Sequence, residues 1–355
     1  MKNLKLVIEK LNSKGAGLAR HDGKIYFVPW ALPGDEVEVS IEKEAETYGD
    51  AVLVKVLKES PYRQKPRCPV FFTCGGCDWQ HLNYEQQLIQ KKLMVSDSLK
   101  KLTKTEFKIN DVVPAKKNWN YRNRIQLHVS KKGQIGFYEA QSHDIVEFDE
   151  CLIAESELNT QLKELKSEGH KGPKSIELRS QSGQGFEQVH TDQNKLLKEL
   201  VVSLVNPKVD DMIADVYCGA GNFTFELAKK AKKVIGFEKS LEALKVAQEN
   251  TLKNKIDNIQ WRQGEASRLL YQCVREKMKF DAMIFDPPRR GLDDVLKFIG
   301  QLAPGRVVLI SCEIASFAKD VKGLLDLGYK LHQVTPLDMF PQTHHVEIVA
   351  LLTKN

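Results

Sequence analysis

Asp215-Val216-Tyr217-Cys218-Gly219-Ala220-Gly221-Asn222-Phe223 is the stretch on which the fold of this chain turns. The apolar run MIADV reads as a strand, Gly219 and Gly221 permit a tight turn with close backbone approach to a ligand, and a helix is predicted from Phe223 to Lys230. No third glycine follows where a dinucleotide would rest its pyrophosphate on the helix N-terminus, so a phosphate-free nucleoside fits the turn better. Strand and helix patterns then alternate to the end of the chain. KVIGFE, a helix through LEALKVAQEN, IQWRQG, DAMIFD, RVVLISC, a helix through FAKDVKGLLDL and two terminal strands follow in order. That rhythm, beginning near Asp192, predicts an α/β doubly wound sheet with helices on both faces, whose ligands bind beyond the carboxyl ends of the strands.

Three further strand ends carry chemistry. Glu238 closes the second strand, where a carboxylate can accept both hydroxyls of a ribose; with the glycine turn and Asp286 it favours S-adenosylmethionine over a nicotinamide. Cys218, inside the turn, reads as a packing residue. Asp286-Pro287-Pro288 resembles the signature of amino-methylating enzymes, but Arg289 stands where their base-stacking aromatic would be, which argues against an exocyclic amine as the methyl acceptor. Cys312 follows the fifth strand, so a thiol sits at the ligand edge. A thiolate there can activate a carbon that is not otherwise nucleophilic. Glu347, in Met339-Phe340-Pro341-Gln342-Thr343-His344-His345-Val346-Glu347, is the candidate general base, with the two histidines as competitors.

Upstream of this domain the pattern is different. LKLVIEKL, IYFVPW, EVEVSI and AVLVKVL, separated by Gly- and Pro-containing turns, predict a small OB-like β-barrel over residues 1–58 with a nucleic-acid-binding role. Residues 59–185 are expected to form a central domain: a Pro- and Cys-rich irregular segment, an amphipathic helix over 84–102 that packs on the catalytic domain, and an antiparallel sheet from RIQLHVS, QIGFYEA, DIVEFDE and SIELRS. Residues 186–355 complete the chain. Asn118-Trp119-Asn120-Tyr121-Arg122-Asn123-Arg124 mixes aromatics, amides and cations, a composition equally suited to stacking on bases and to a solvated loop.

With 355 residues, 42% hydrophobic and 28% charged, the chain can bury a sizeable interior, and nothing in its opening MKNLKLVIEKLNSKG reads as a signal peptide or membrane span. A cytoplasmic location is expected. The seven cysteines then read as metal ligands, catalytic thiols or packing residues rather than disulfides. Cys68, Cys74 and Cys77, with Cys151 far downstream, could enclose zinc or an iron-sulfur cluster, and spacing alone leaves both open. The formal charge of +6 is mildly favourable to a polyanionic partner.

DVYCGAGNF, FDPPRRG, ISCE and MFPQTHHVE, in this order, resemble the RNA 5-methyluridine methyltransferases that carry an N-terminal TRAM domain and an iron-sulfur cluster, a likeness covering nearly the whole chain. The resemblance implies a Rossmann-like class I S-adenosylmethionine methyltransferase domain, a TRAM barrel and an antiparallel central iron-sulfur domain. It assigns Cys312 as nucleophile on uracil carbon-6 and Glu347 as acceptor of the carbon-5 proton. Gln188, Tyr217, Gly219, Gly221, Glu238 and Asp286 would contact the cofactor or target pocket, and Arg289 would position the RNA. Cys68, Cys74, Cys77 and Cys151 would hold a 4Fe-4S cluster. Ribosomal RNA is favoured over transfer RNA because the barrel and cluster are most familiar in that branch, and a monomer is expected. Three positions depart from the family pattern: Glu313-Ile314 stands where Asn-Pro is usual, His190 where Asn is common, and His344-His345 where smaller residues often precede Val-Glu.

Overall fold

The computed structural model describes residues 3–170, 172–181 and 188–354; the expected domain boundary at 185/186 and the residues Phe186 and Glu187 beside Gln188 lie outside these. Two compact units emerge. One comprises Met1–Met94, Lys116–Gln181 and Phe340–His345, the other Val95–Ala115, Ser182–Met339 and Val346–Asn355. The barrel and the central sheet thus fall in one unit, where the sequence suggested two domains.

In the first unit, β1 (Asn3–Val7), β2 (Lys10–Leu11), β3 (Gly17–His21), β4 (Lys24–Val28), β5 (Glu36–Glu44) and β6 (Tyr48–Lys58) form a six-stranded sheet in the order β1-β5-β6-β4-β3-β2. Alternation along EVEVSI turns Val37 and Val39 into a core shared with Leu6, Ile8, Tyr26 and Val28. Helix α1 (Tyr84–Thr103) follows the Cys-rich segment. Then β7 (Arg124–Val129), β8 (Ile135–Tyr138), β9 (Ile145–Glu147), α2 (Ser156–Glu168) and β10 (Lys174–Arg179) build an antiparallel sheet ordered β10-β7-β8-β9. Helix α2 was not foreseen. Its charged, glutamate-rich sequence hides Leu158 and Leu162, one turn apart, which bury fully against Ile125, Leu127 and Val129.

The second unit contains α3 (Thr191–Val205), β11 (Met212–Val216), α4 (Thr224–Ala228), β12 (Lys233–Glu238), α5 (Leu241–Lys253), β13 (Ile259–Gln263), α6 (Ala266–Arg275), β14 (Ala282–Phe285), α7 (Leu296–Leu302), β15 (Arg306–Ser311), α8 (Ile314–Asp326), β16 (Lys330–Leu337) and β17 (Glu347–Thr353). The strands run β13-β12-β11-β14-β15-β17-β16, all parallel except β17, which is antiparallel to both neighbours. Strand order reverses between β11 and β14, which opens the crevice where such sheets take ligands. Among the described residues no helix is long and apolar enough to cross a membrane.

Candidate active site

The turn after β11 is shaped by backbone strain that glycine relieves. Gly219 and Gly221 have φ of 55° and 93°, and a Cβ on Gly221 would lie 2.7 Å from the Phe225 ring and 2.9 Å from the Trp261 ring. Tyr217 itself takes φ 67°, a conformation that L residues rarely adopt. Glu238, at the end of β12, accepts hydrogen bonds from the Gly219 amide at 3.0 Å and from the Ser240 amide at 2.7 Å. The carboxylate is therefore fixed in the crevice by the turn it faces. Behind it, fully buried Asp215 accepts from the Thr224 hydroxyl at 2.6 Å. Burial pushes the Asp215 carboxyl up to about 7; Thr224 opposes this, and Asp286 and Glu238 add to it. Asn194 and Asn222 exchange amide hydrogen bonds of 3.1 and 3.0 Å, pinning the turn to α3. Cys218 is buried, and burial raises its thiol well above the usual range, consistent with packing rather than reactivity. Gln188 is half-buried just ahead of α3.

The reacting edge is assembled by strand register. Ser311 pairs with Ile348 across β15 and β17, so Cys312, one residue past β15, lies at the same edge as Glu347, the first residue of β17. Asp286 is the first residue past the adjacent strand β14. Glu347 is 2% exposed, and burial, then the charge of Asp286, raises its carboxyl well above the usual range. Burial lifts Asp286 to about 6. The half-buried Cys312 thiol is pushed to about 11, first by burial and then by Glu347 and Asp286, while Arg289 pulls it down. A thiol, a guanidinium and two carboxyls thus lie close enough to influence one another, and the perturbed acidities of the thiol and the carboxyls mark this edge as a candidate functional site.

Residues that depart from the family pattern are structurally accommodated. Glu313 caps α8, accepting from the Ala315 amide at 3.5 Å, and its own amide donates to the Ser311 hydroxyl at 3.2 Å, so the backbone after Cys312 is tied without the Asn-Pro pair. His190 caps α3 through Nδ1, which accepts from the Gln193 amide at 3.5 Å, a task Asn also performs well. In the first unit His344 is held by Asp78, which takes its backbone amide at 3.0 Å and pairs with its imidazole. Sequence reading also missed Asp320, fully buried on α8, which accepts from the Leu292 amide at 2.9 Å. A Cβ on Gly291 would lie 2.5 Å from the Asp320 carboxylate, so this glycine lets the Pro287–Gly291 loop close over it. Only the tertiary fold brings positions so distant in sequence together.

Cys68, Cys74, Cys77 and Cys151 are free thiols gathered in the first unit. Burial raises Cys74 to about 11, with Cys151 and Cys68 adding to the effect, and Cys77 rises beyond the ordinary thiol range under burial, Cys151 and Cys74. Each thiol also has an N–H donor that favours the thiolate: the Val70 amide for Cys68, Gly76 for Cys74, the Gln80 side chain for Cys77, and Ile153 and Ala154 for Cys151. Arg122 adds its charge beside Cys77 and Cys151, and its Nε has no hydrogen-bond partner among the described residues. Among those residues no group of three or more His, Cys, Asp or Glu converges as a single metal ion requires.

The sheet order and the crevice at its reversal are those of an α/β methyltransferase. Residues 171–355 match the family model for tRNA (Uracil-5-)-methyltransferase, and residues 2–54 match the TRAM domain. The chain belongs to the tRNA (uracil-5-)-methyltransferase family, and it is an RNA uracil-5 methyltransferase. It is 34% identical to an uncharacterised RNA methyltransferase of Bdellovibrio bacteriovorus, over 98% of this chain and 94% of that one. It is 30% identical to the 23S rRNA (uracil(1939)-C(5))-methyltransferase RlmD of Vibrio parahaemolyticus, over 98% and 95%. The crystal structure of Pyrococcus abyssi tRNA (uracil-54, C5)-methyltransferase, in complex with S-adenosyl-L-homocysteine, superposes with a TM-score of 0.74 at 27% identity, covering 99% of this chain and all of that one. A transfer RNA enzyme alike along the whole chain means that an N-terminal barrel does not by itself separate the two substrate classes.

Proposed function

We propose that this enzyme methylates carbon-5 of a uracil in structured RNA through a covalent adduct between Cys312 and carbon-6, with S-adenosylmethionine as methyl donor and Glu347 as the base. The observation that carries this reading is the sharing of one sheet edge by Cys312, Glu347, Asp286 and Arg289. Bound S-adenosylmethionine supplies an electrophilic methyl group and a positive charge. Its ribose suits Glu238, which the Gly219 and Ser240 amides already orient, and Tyr217, Gln188 and Asp286 complete the contacts.

The Cys312 sulfur adds as its thiolate to carbon-6, and the ring electrons pass through carbon-5 to the carbonyl as an enolate. Carbon-5 of that enolate takes the methyl group as the methyl–sulfur bond of the donor breaks, its sulfur keeping the bonding pair and leaving as the neutral thioether S-adenosylhomocysteine. Glu347 then accepts the carbon-5 proton, the carbon-5 to carbon-6 double bond re-forms, and the sulfur leaves. A buried carboxylate whose conjugate acid is weaker than usual is a better proton acceptor than one in water, which is the demand of a carbon acid. Arg289 favours the thiolate against two acidic neighbours. To reach this edge the target base must leave its stack.

Cys68, Cys74, Cys77 and Cys151 would hold a 4Fe-4S cluster, a role that the N–H donors to each sulfur suit. Its work is structural, tying an irregular segment that has little apolar core. Ribosomal RNA is the preferred substrate, supported by full-length similarity to enzymes named for 23S rRNA. The likeness to the Pyrococcus abyssi enzyme supports transfer RNA as the second reading.

RNA carrying 5-fluorouracil tests the chemistry, because fluorine cannot leave as a proton. The native enzyme is expected to form an adduct that survives denaturation, and Cys312→Ala is expected to form none; an adduct in that variant would refute the assignment. Mapping 5-methyluridine in ribosomal and transfer RNA from a strain lacking the gene decides between the substrates.

A further inference from the structure

The segment 118–124 is not used by the chemistry above, and the structure gives it a distinct surroundings. No acidic residue occurs from Ser60 to Cys77, and none from Val112 to Tyr138, although these stretches contain Lys65, Arg67, Lys116, Lys117, Lys131 and Lys132. The fold brings the two acid-free stretches together where the Arg67 guanidinium lies 4.7 Å from the centroid of the Trp119 ring. Lys65, Arg67, Lys116 and Lys117 are exposed, and Trp119 is only half-buried.

The backbone beneath this pair is fixed. The Asn118 carbonyl accepts from Gln342 Nε2 at 3.3 Å, the Asn120 amide donates to the Leu152 carbonyl at 3.0 Å, and Asn120 Nδ2 donates to the Ala154 carbonyl at 3.2 Å. Asn120 itself takes φ 50°, which turns the chain sharply after the tryptophan. Tyr121 is buried with its hydroxyl on the Pro341 carbonyl at 3.0 Å. A large aromatic is thus held half-exposed on a loop anchored by hydrogen bonds, with the Arg67 guanidinium against it and Lys116 and Lys117 just before it in the chain. The nearest acids of the anchoring segment, Glu150 and Glu155, flank Leu152 and Ala154. Solvation alone asks for neither the aromatic nor the anchoring.

We propose that Arg67 and Trp119 form a stacking platform for an unpaired nucleotide of the RNA substrate, with Lys65, Lys116 and Lys117 taking the adjoining phosphates. Aromatic and guanidinium faces accept any base, while lysines release counterions from phosphates, and the two together are the chemistry of single-stranded RNA binding. The platform deepens the reading above, on which it rests, by giving the nucleotides that flank the target a surface of their own.

Binding of full-length enzyme to a labelled single-stranded oligouridine, followed by fluorescence anisotropy over a range of salt, tests this. Trp119→Ala is expected to weaken binding by about 5- to 100-fold with an unchanged salt slope, the loss of one stacked base. Trp119→Phe, which keeps an aromatic face, is expected to stay within a few fold of the native enzyme. Lys116→Ala should lower the salt slope by about 0.7, the effect of one phosphate contact on a single strand. Binding by Trp119→Ala within twofold of native overturns the platform. Equal losses for the alanine and phenylalanine variants, accompanied by a fallen melting temperature, also overturn it, because the pair would then be a structural brace. Methyl transfer by the native enzyme to unmodified ribosomal RNA reports separately on the functional reading.

Discussion

Two sets of cysteines in this molecule begin from the same physical handicap and are treated in opposite ways. Burial raises the thiol of Cys312 to about 11 and that of Cys74 to about 11. Around Cys312 the charged neighbours are chiefly acidic, Glu347 and Asp286, and Arg289 opposes them. Around the four-cysteine group, every sulfur has an N–H donor, and Arg122 lies beside two of them. On the proposed mechanism, a thiol held protonated at Cys312 would be protected from oxidation and stray alkylation until substrate and a cationic donor arrive. The donors and Arg122 oppose, without overcoming, the burial that raises these four sulfurs, and on the proposed reading a bound cluster would draw on the same donors. The residue type is shared, and the surroundings decide the role.

The sharpest way to break that contrast is to remove the base from the reacting edge. Glu347→Gln is expected to cut turnover by about 10²- to 10⁴-fold, the usual weight of a general base, while letting adduct with ordinary uracil-containing RNA accumulate. Gel retention of denatured complex measures it; a slow variant with no accumulated adduct would remove Glu347 from the elimination step. On the other side, Cys77→Ser is expected to abolish iron and acid-labile sulfide in the purified protein and to lower its melting temperature by many degrees. Full cluster content in that variant would separate Cys77 from the ligand set.

A smaller effect tests the cost of crowding acids behind the cofactor turn. Asp215 has a folded-state acidity of about 7 against an ordinary value of 3.8, so its contribution to stability is complete below the ordinary value and is lost as pH rises through about 7. Asp215→Asn is therefore expected to be more stable than the native protein at pH 8, by up to about 4 kcal/mol, with the advantage vanishing near pH 4. Urea melts at the two pH values check the sign. Smallest of all, His190→Asn restores the residue common in the family at the α3 cap and should change stability by less than about 1 kcal/mol. A larger loss by thermal melting would give the imidazole a role beyond capping.

Much of this architecture is legible because period and punctuation report on local burial. The strands predicted from RIQLHVS, KVIGFE and RVVLISC lie within a residue or two of β7, β12 and β15, and the helix expected over 84–102 is Tyr84–Thr103. Helix α2 escaped because its core contribution rests on a few leucines in a polar run, and the reason they are buried is a sheet whose strands lie on both sides of it in the chain. The site divides the same way. Gly219, Gly221, Glu238, Asp286 and Cys312 could be named as candidates because each follows or closes a strand, a place that pattern locates, whereas Glu347, the first residue of β17, was named through the family resemblance.

By itself the sequence determined the class of fold and the place of the glycine turn after β11, since these follow from hydrophobic period and from residues at strand ends, and its resemblance to a family supplied the list of side chains proposed to react. The tertiary structure decided which of them meet: Cys312 with Glu347 through the register of β15 on β17, Asp320 with Gly291, Arg67 with Trp119. Acidity is likewise a tertiary property, because desolvation and neighbouring charge depend on distances in space that spacing along a chain does not encode.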